Sequence, residues 1–232
     1  MRDPKALVVL LASLSAMACT PRAVTRPDLR LAPTERLLVM RAQDGQALDV
    51  VCNDNPAGDA FLHTRSLRID PADPALSRLE QRMRVTLARE KGVGLAAPQV
   101  GINRRVILVQ RLDRAGEPVV LYLNPEILHA SEELLLDWEG CLSIPAGFGQ
   151  VRRAKAISLR FQGAGGAWQE ERVEGFTARI FQHEIDHLDG VLFIERKEPG
   201  PLVPKEEYRR RKQRRKRTET APAAPEAERA SS

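Results

Sequence analysis

The sequence predicts one α+β domain in which antiparallel or mixed β-sheets pack around a single late, central helix. Three observations carry that reading. Short β-rich runs come before the helical stretch that bears the chemistry, an earlier amphipathic helix offers an apolar stripe to a sheet, and 232 residues suffice for one hydrophobic core but not for two.

The first helix should open at Asp73-Pro74, an N-cap followed by a first-turn proline, with Leu76, Leu79, Met83 and Leu87 recurring at helical spacing. The glycine-rich stretch from Lys91 to Gly94 follows, and Gly92 suits a helix C-terminal cap. Strands are expected at Arg105 to Gln110, Val119 to Leu123 and Ile157 to Phe161, the last alternating apolar and polar residues. Gly163-Ala164-Gly165-Gly166 should turn the chain into Trp168 to Val173, completing a hairpin. The central helix should run from about Phe176 to Leu188 and close at Gly190, with Val191 to Ile194 as a last strand. No internal repeat is present.

The ends read differently from this domain, which is expected to span 48–204. Arg2 and Lys5 precede an apolar run from Ala6 to Ala18, and Ala16-Met17-Ala18 offers small residues for cleavage, so 1–18 is signal-like and too short to cross a bilayer comfortably. Cys19 follows at once, as in a lipoprotein signal, although Ala16 stands where such signals usually carry Leu. With Met1 as the start the product would be exported or tethered to a membrane through Cys19; with Met17 or Met40 as the start it would be cytoplasmic. Residues 19–47 contain Pro and Arg without sustained periodicity and read as a linker or loose extension. The tail, 205–232, begins with a dense cationic run and continues as an Ala, Pro and Glu segment of disordered composition. Much of the net charge of +5 sits in that run, so charge says little about the partners of the folded part. Three cysteines, Cys19, Cys52 and Cys141, do not suggest a disulfide framework.

The chemistry begins at His183-Glu184-Ile185-Asp186-His187. Residues four apart share a helix face, so both imidazoles can reach one cation while Glu184 can reach a water held there. The same five residues also fit two histidines on an ordinary polar helix face. A catalytic site of this kind wants a third protein ligand, and no His or Cys follows His187. The upstream candidate is Cys141 in Glu139-Gly140-Cys141-Leu142-Ser143; a lone Cys in apolar company also suits a small core residue.

Gly92-Val93-Gly94-Leu95-Ala96-Ala97-Pro98-Gln99, Glu139-Gly140-Cys141-Leu142-Ser143 and Gln182-His183-Glu184-Ile185-Asp186-His187-Leu188-Asp189-Gly190 together resemble the three signature motifs of the peptide deformylase family, in family order, over roughly Asp59 to Arg196. The resemblance implies one divalent ion on Cys141, His183 and His187, with Fe2+ the native choice and Zn2+, Ni2+ or Co2+ tolerated. It implies Glu184 as general base, and the Gln99 amide and Leu142 N–H as donors to the oxyanion. The substrate would be an N-formylmethionyl peptide, deformylated with release of formate.

Phe176 and Ile180 precede His183 by seven and three residues on its helix face, so with Val93 they are candidates for the methionine pocket, as well as for plain core. Gly92 and Gly94 let an extended peptide approach the backbone. Arg153 is expected to pair with Glu139 and brace the Cys141 loop. Phe148 departs from family members that carry a basic residue at the site entrance. By analogy of position and charge, the tail at 205–217 could contact the ribosome or its RNA. A monomer is expected. The rival readings are an exported metallo-amidase or peptidase on the same scaffold, and a silent module that binds RNA through its tail.

Overall fold

The computed structural model describes residues 29–41 and 45–220; the signal-like stretch, Cys19 and the end of the tail lie outside the described residues. The architecture is α+β. Strands β1 (Gly94–Ala96), β2 (Val106–Gln110), β3 (Val119–Ala130), β6 (Ala156–Gln162) and β7 (Trp168–Glu174) form an antiparallel sheet in the order β1-β2-β3-β6-β7. Between β3 and β6 the chain makes a separate antiparallel pair, β4 (Leu134–Cys141) and β5 (Ile144–Ala154).

Strand β2 reads as an unbroken apolar run because helices cover both of its faces. Val106 and Leu108 join the core under α3 (Leu76–Glu90), with Leu79, Met83 and Leu87 of the expected stripe. Ile107 and Val109 face the other way, into the core formed with Phe181, Ile185 and Leu188 of α4 (Gly175–Leu188). On that side Tyr122 meets Phe161 and Phe181 edge to face, each at 4.7 Å. Every residue of α4 from Thr177 to Leu188 is buried, so its polar side chains need partners inside the protein. Gln182 finds three on the backbone: it accepts from Ala154 N–H at 3.0 Å and donates to the carbonyls of Ala154 and Ala178 at 2.9 and 3.0 Å. The helix ends as expected, with Gly190 in the left-handed region at φ +74°.

Several expectations need correction. Helix α3 begins at Leu76 rather than at the Asp73-Pro74 cap; just ahead of it the Asp73 carboxylate accepts from the Ala75 N–H at 2.8 Å and from the distant Leu31 N–H at 2.7 Å. Lys91, not Gly92, takes the left-handed position after α3, at φ +55°. Strand β3 runs on past Leu123 to Ala130, and β4 and β5 had no counterpart in the sequence reading. Val191 to Ile194 is not a strand; Phe193–Arg196 forms one helical turn, α5, closed by the Glu195 carboxylate on Leu192 N–H at 2.7 Å. The basic C-terminal run, expected as a helix or tail, is helical as α6 (Lys205–Thr220) and needs no correction.

The segment read as a linker contains helix α1 (Pro33–Met40), and α2 (Pro56–Leu62) follows with Asn55 as its N-cap. Leu31 and Val39 are core residues, so the packed unit begins before Leu48. Arg82 of α3 holds this segment in place. Its guanidinium donates to the carbonyls of Leu38, Val39, Gln46 and Ala47 at 2.6 to 3.1 Å. Arg82→Met keeps the bulk but leaves these acceptors without their donor, and should lower the free energy of unfolding by about 3 kcal/mol. Urea denaturation measures it; a loss under about 0.5 kcal/mol, the scale of an ordinary surface change, would mean that the segment contributes nothing to the domain.

Candidate metal centre

Helix α4 carries His183, Glu184 and His187 into the interior, and the turn between β4 and β5 brings Cys141 to them. That turn is tight, with Cys141 opposite Ile144 and a register shift between Glu139 and Cys141. Gly140 has to be glycine there, since a Cβ would lie 2.4 Å from the ring of Phe148. One ligand atom from each of Cys141, His183 and His187 lies within 4.8 Å of the others. A single ion about 2.0–2.3 Å from each donor fits such a triangle.

A carboxylate orients His183, whereas His187 Nδ1 is buried without a hydrogen-bond partner among the described residues. His183 Nδ1 is 3.0 Å from the Glu139 carboxylate, which leaves Nε2 for the cation. His187 Nε2 lies 3.1 Å from Cys141 Sγ. Burial chiefly, with the charge of Arg153 in support, keeps the His187 pKa well below its ordinary value and the ring neutral, which is the ligating form. The thiol sulfur also faces the Gln99 amide nitrogen at 3.3 Å and Ser143 N–H at 3.4 Å.

The carboxylate behind His183 is itself fully engaged. Glu139 accepts from Arg153 Nε and Nη2 at 3.0 and 2.9 Å and from Arg179 Nη1 at 2.7 Å. Burial alone would raise its pKa, but the hydrogen bonds from His183 and Arg153 outweigh this and hold it far below the usual carboxylate range. The expected Glu139–Arg153 pair is therefore present. Arg153 also pairs with Asp186, which takes two further bonds from Arg196 at 2.7 Å each. Arg179 and Asp186 were missed in the sequence; their signal was position, four residues before His183 and one before His187 on a helix that must bury that face.

Glu184 is the unusual group. It is buried and its Oε2 has no hydrogen-bond partner in the protein. Burial chiefly pushes its pKa up to about 7, where a carboxyl group can both take and return a proton near neutral pH. Gly94 makes room for it: a Cβ there would sit 2.3 Å from Glu184 Oε1 and 2.8 Å from Ile180 Cγ2. Gln99 accepts from Ala96 N–H at 2.8 Å through Oε1, which fixes its Nε2 toward Cys141. Leu142, between Cys141 and Ser143, rests against the α3 core.

The pocket candidates fall in two places. Val93 and Ile180 belong to the α4 core beside Gly94. Phe176 is 48% exposed and lines a cleft of about 270 Å3 with Leu135, Leu136, Asp137 and Arg179, residues that the sequence reading did not single out. A larger cavity, about 590 Å3, lies near Glu80, Arg84 and Tyr122 and touches none of the three ligand residues, so the donor set rather than volume identifies the site. Phe148 stacks on Tyr208 of α6 at 4.1 Å. Cys52 approaches the Leu142 carbonyl at 3.9 Å, and burial raises its pKa.

Comparisons with known proteins place the chain in a family. The family model described as polypeptide deformylase matches residues 51–201. The peptide deformylase of Thermotoga neapolitana is 45% identical over 143 residues, covering 62% of this chain and 85% of the relative, and that of Synechocystis sp. is 40% identical over 140 residues, covering 60% and 75%. Among solved structures, the peptide deformylase of Thermotoga maritima superposes with a TM-score of 0.60 at 39% identity over 66% of this chain and 99% of that one. The actinonin-bound class I type b peptide deformylase of Acinetobacter baumannii gives 0.59 at 37%, over 66% and 99%. With the family match extending from Val51 through the Cys141, His183 and His187 cluster, this chain belongs to the polypeptide deformylase family.

Proposed function

We propose that the chain removes the formyl group from N-formylmethionyl peptides, with one divalent cation held by Cys141, His183 and His187 and with Glu184 as the proton carrier. The observation that carries this reading is the triangle of one thiol and two imidazoles, their donor atoms within 4.8 Å of one another, together with a buried carboxylate that has one oxygen unpartnered. A thiolate with two imidazoles suits Fe2+, Zn2+, Ni2+ or Co2+, and the family resemblance favours iron. When bound, such an ion supplies Lewis acidity, lowering the pKa of water and polarising a carbonyl oxygen.

The remaining steps belong to the chain's own residues. Glu184 takes a proton from the attacking water and delivers it to the leaving amine, so formate and a free N-terminus result. The Gln99 amide, already held by Ala96, and the Leu142 N–H donate to the oxygen on which negative charge develops; losing one such donor costs about 3 kcal/mol of transition-state stabilisation. Gly94, Val93 and Ile180 border the substrate, and Phe176 in its cleft receives the methionine side chain or the residue after it. Glu139 and Arg153 keep His183 in place. The cationic tail contacts ribosomal RNA through phosphates, and the protein acts as a monomer.

The N-terminal reading depends on the start: from Met1 the product is exported, with cleavage before Cys19 and lipid attachment there, whereas from Met17 it stays in the cytoplasm, where its tail can reach the ribosome. Burial of Leu31 and Val39 supports a start upstream of Met40, since a chain beginning at Met40 would lack both core residues. Mass spectrometry of the native N-terminus should find a diacylated Cys19; an unprocessed peptide beginning at Met17 would place the protein in the cytoplasm.

A formate-release assay on a formyl-Met dipeptide beside its unformylated counterpart tests the reaction. Formate from the first and no cleavage of the second is expected, whereas cleavage of the unformylated peptide would favour the peptidase reading. Within that assay, Glu184→Gln should lower turnover by roughly 10²–10⁴-fold with one metal per chain retained. Cys141→Ser should lose metal and turnover together. Activity of the glutamine variant within about tenfold of wild type would remove Glu184 from its role.

A further inference from the structure

Four of the eleven large apolar side chains exposed among the described residues fall between Leu29 and Met40: Leu29, Leu37, Leu38 and Met40 are 40, 51, 42 and 55% exposed. A surface helix of a soluble domain ordinarily turns charge outward. Helix α1 does the opposite, and it is not free to roll over. Val39 and Leu31 are buried in the core beneath it. Glu35 accepts from Ala32 and Asn103 N–H and pairs with Arg104, Arg36 pairs with Asp73, and Arg82 holds the carbonyls of Leu38 and Val39. These contacts fix the rotation that leaves Leu37 and Met40, three residues apart on one face, turned to solvent.

The flanking charge is positive on the N-terminal side, while past Arg41 the next charged residues are Asp44 and Asp49. Arg30 and Arg41 are exposed at either end of the segment, Arg22 and Arg26 precede it, and Asp28 is the only acidic residue between Thr20 and Thr34. The apolar run ending at Ala18 lies eleven residues before Leu29, a length of chain that reaches at most about 40 Å. Whatever surface takes up that run or Cys19 is therefore tethered within reach of α1.

We propose that α1 is a membrane-contact face, with Leu29, Leu37 and Met40 entering the interface of a bilayer while Arg30 and Arg41 meet anionic headgroups. This goes beyond the hydrolytic reading and requires neither acylation of Cys19 nor removal of residues 1–18. It describes a helix lying on the surface; among the described residues no helix is long and apolar enough to cross a membrane.

The test uses the full chain and vesicles of phosphatidylglycerol mixed with phosphatidylcholine, with a readout local to α1 because the 6–18 run can itself partition. Met40→Trp should shift its emission to the blue when these vesicles are added, while Leu128→Trp, at an exposed site on β3, should not. The double variant Leu37→Glu, Met40→Glu should need about tenfold more lipid for half-maximal binding, and binding of the unaltered chain should weaken with salt and on phosphatidylcholine alone. Circular dichroism reports folding of each variant independently of turnover. An unshifted emission from Met40→Trp, or equal lipid binding by the double glutamate variant, would overturn the proposal. So would a dimer in gel filtration that Leu37→Glu dissociates, which would make a second copy of the chain the occupant of this face.

Discussion

Everything around the candidate metal centre depends on one buried carboxylate. Glu139 on β4 is bonded at once to Arg153 on β5 and to Arg179 and His183 on α4, and the chain of charges continues through Asp186 to Arg196 on α5. Each of these groups is costly to bury alone, and the cost is offset only because every one has its partner; removing a single member typically leaves an uncompensated charge and destabilises by about 3–5 kcal/mol. An apolar substitute could fill the volume but could not turn an imidazole. The network thus orients His183 as well as joining the hairpin to the helix.

How much of this was legible in the sequence follows from where each interaction is made. The α3 stripe and α4 could be read because their apolar spacing and punctuation are local. The ligands could be read because His183 and His187 are one turn apart, and Cys141 because it stands in a motif. Helix α1 was hidden by its own composition: Leu37, Leu38, Val39 and Met40 run without helical period, and only Val39 points inward. Strand β5 contains Pro145, Gly147 and Gly149, which read as loop; its extended form depends on pairing with β4, a non-local contact. Asp73 looked like a cap because the Leu31 N–H that shares its carboxylate lies 42 residues away.

The site shows the same division. Cys141, Glu184 and Gln99 were candidates by residue type and motif, and the structure brings Gln99 to Cys141 and Glu184 to the strand at Gly94. Arg179 passed unnoticed because an arginine on a helix is usually solvated, and only burial of the whole of α4 turns it into a partner for Glu139. Phe176 was placed on the ligand face by counting residues. The structure keeps it on that helix but in a cleft with Leu135 and Leu136, whose exposure could not be foreseen from an apolar run.

The β4–β5 pair shares no ladder with the five-stranded sheet. It is attached by the Glu139 charges, the Gln182 bonds to Ala154, the packing of Ile144 and Val151 against Leu62, Leu192 and Phe193, and a few backbone bonds, among them the pair between Phe148 and Val203 at 2.8 Å. Proteins open in cooperative units, and a unit held mainly by side chains can detach at a free energy below that of global unfolding. In this chain that unit carries one candidate ligand, Cys141, while the other two, His183 and His187, stay on a helix in the core. Release of a bound ion, and the amide-exchange protection of the hairpin, would then share a single opening event, leaving the main sheet and its slower-exchanging amides untouched.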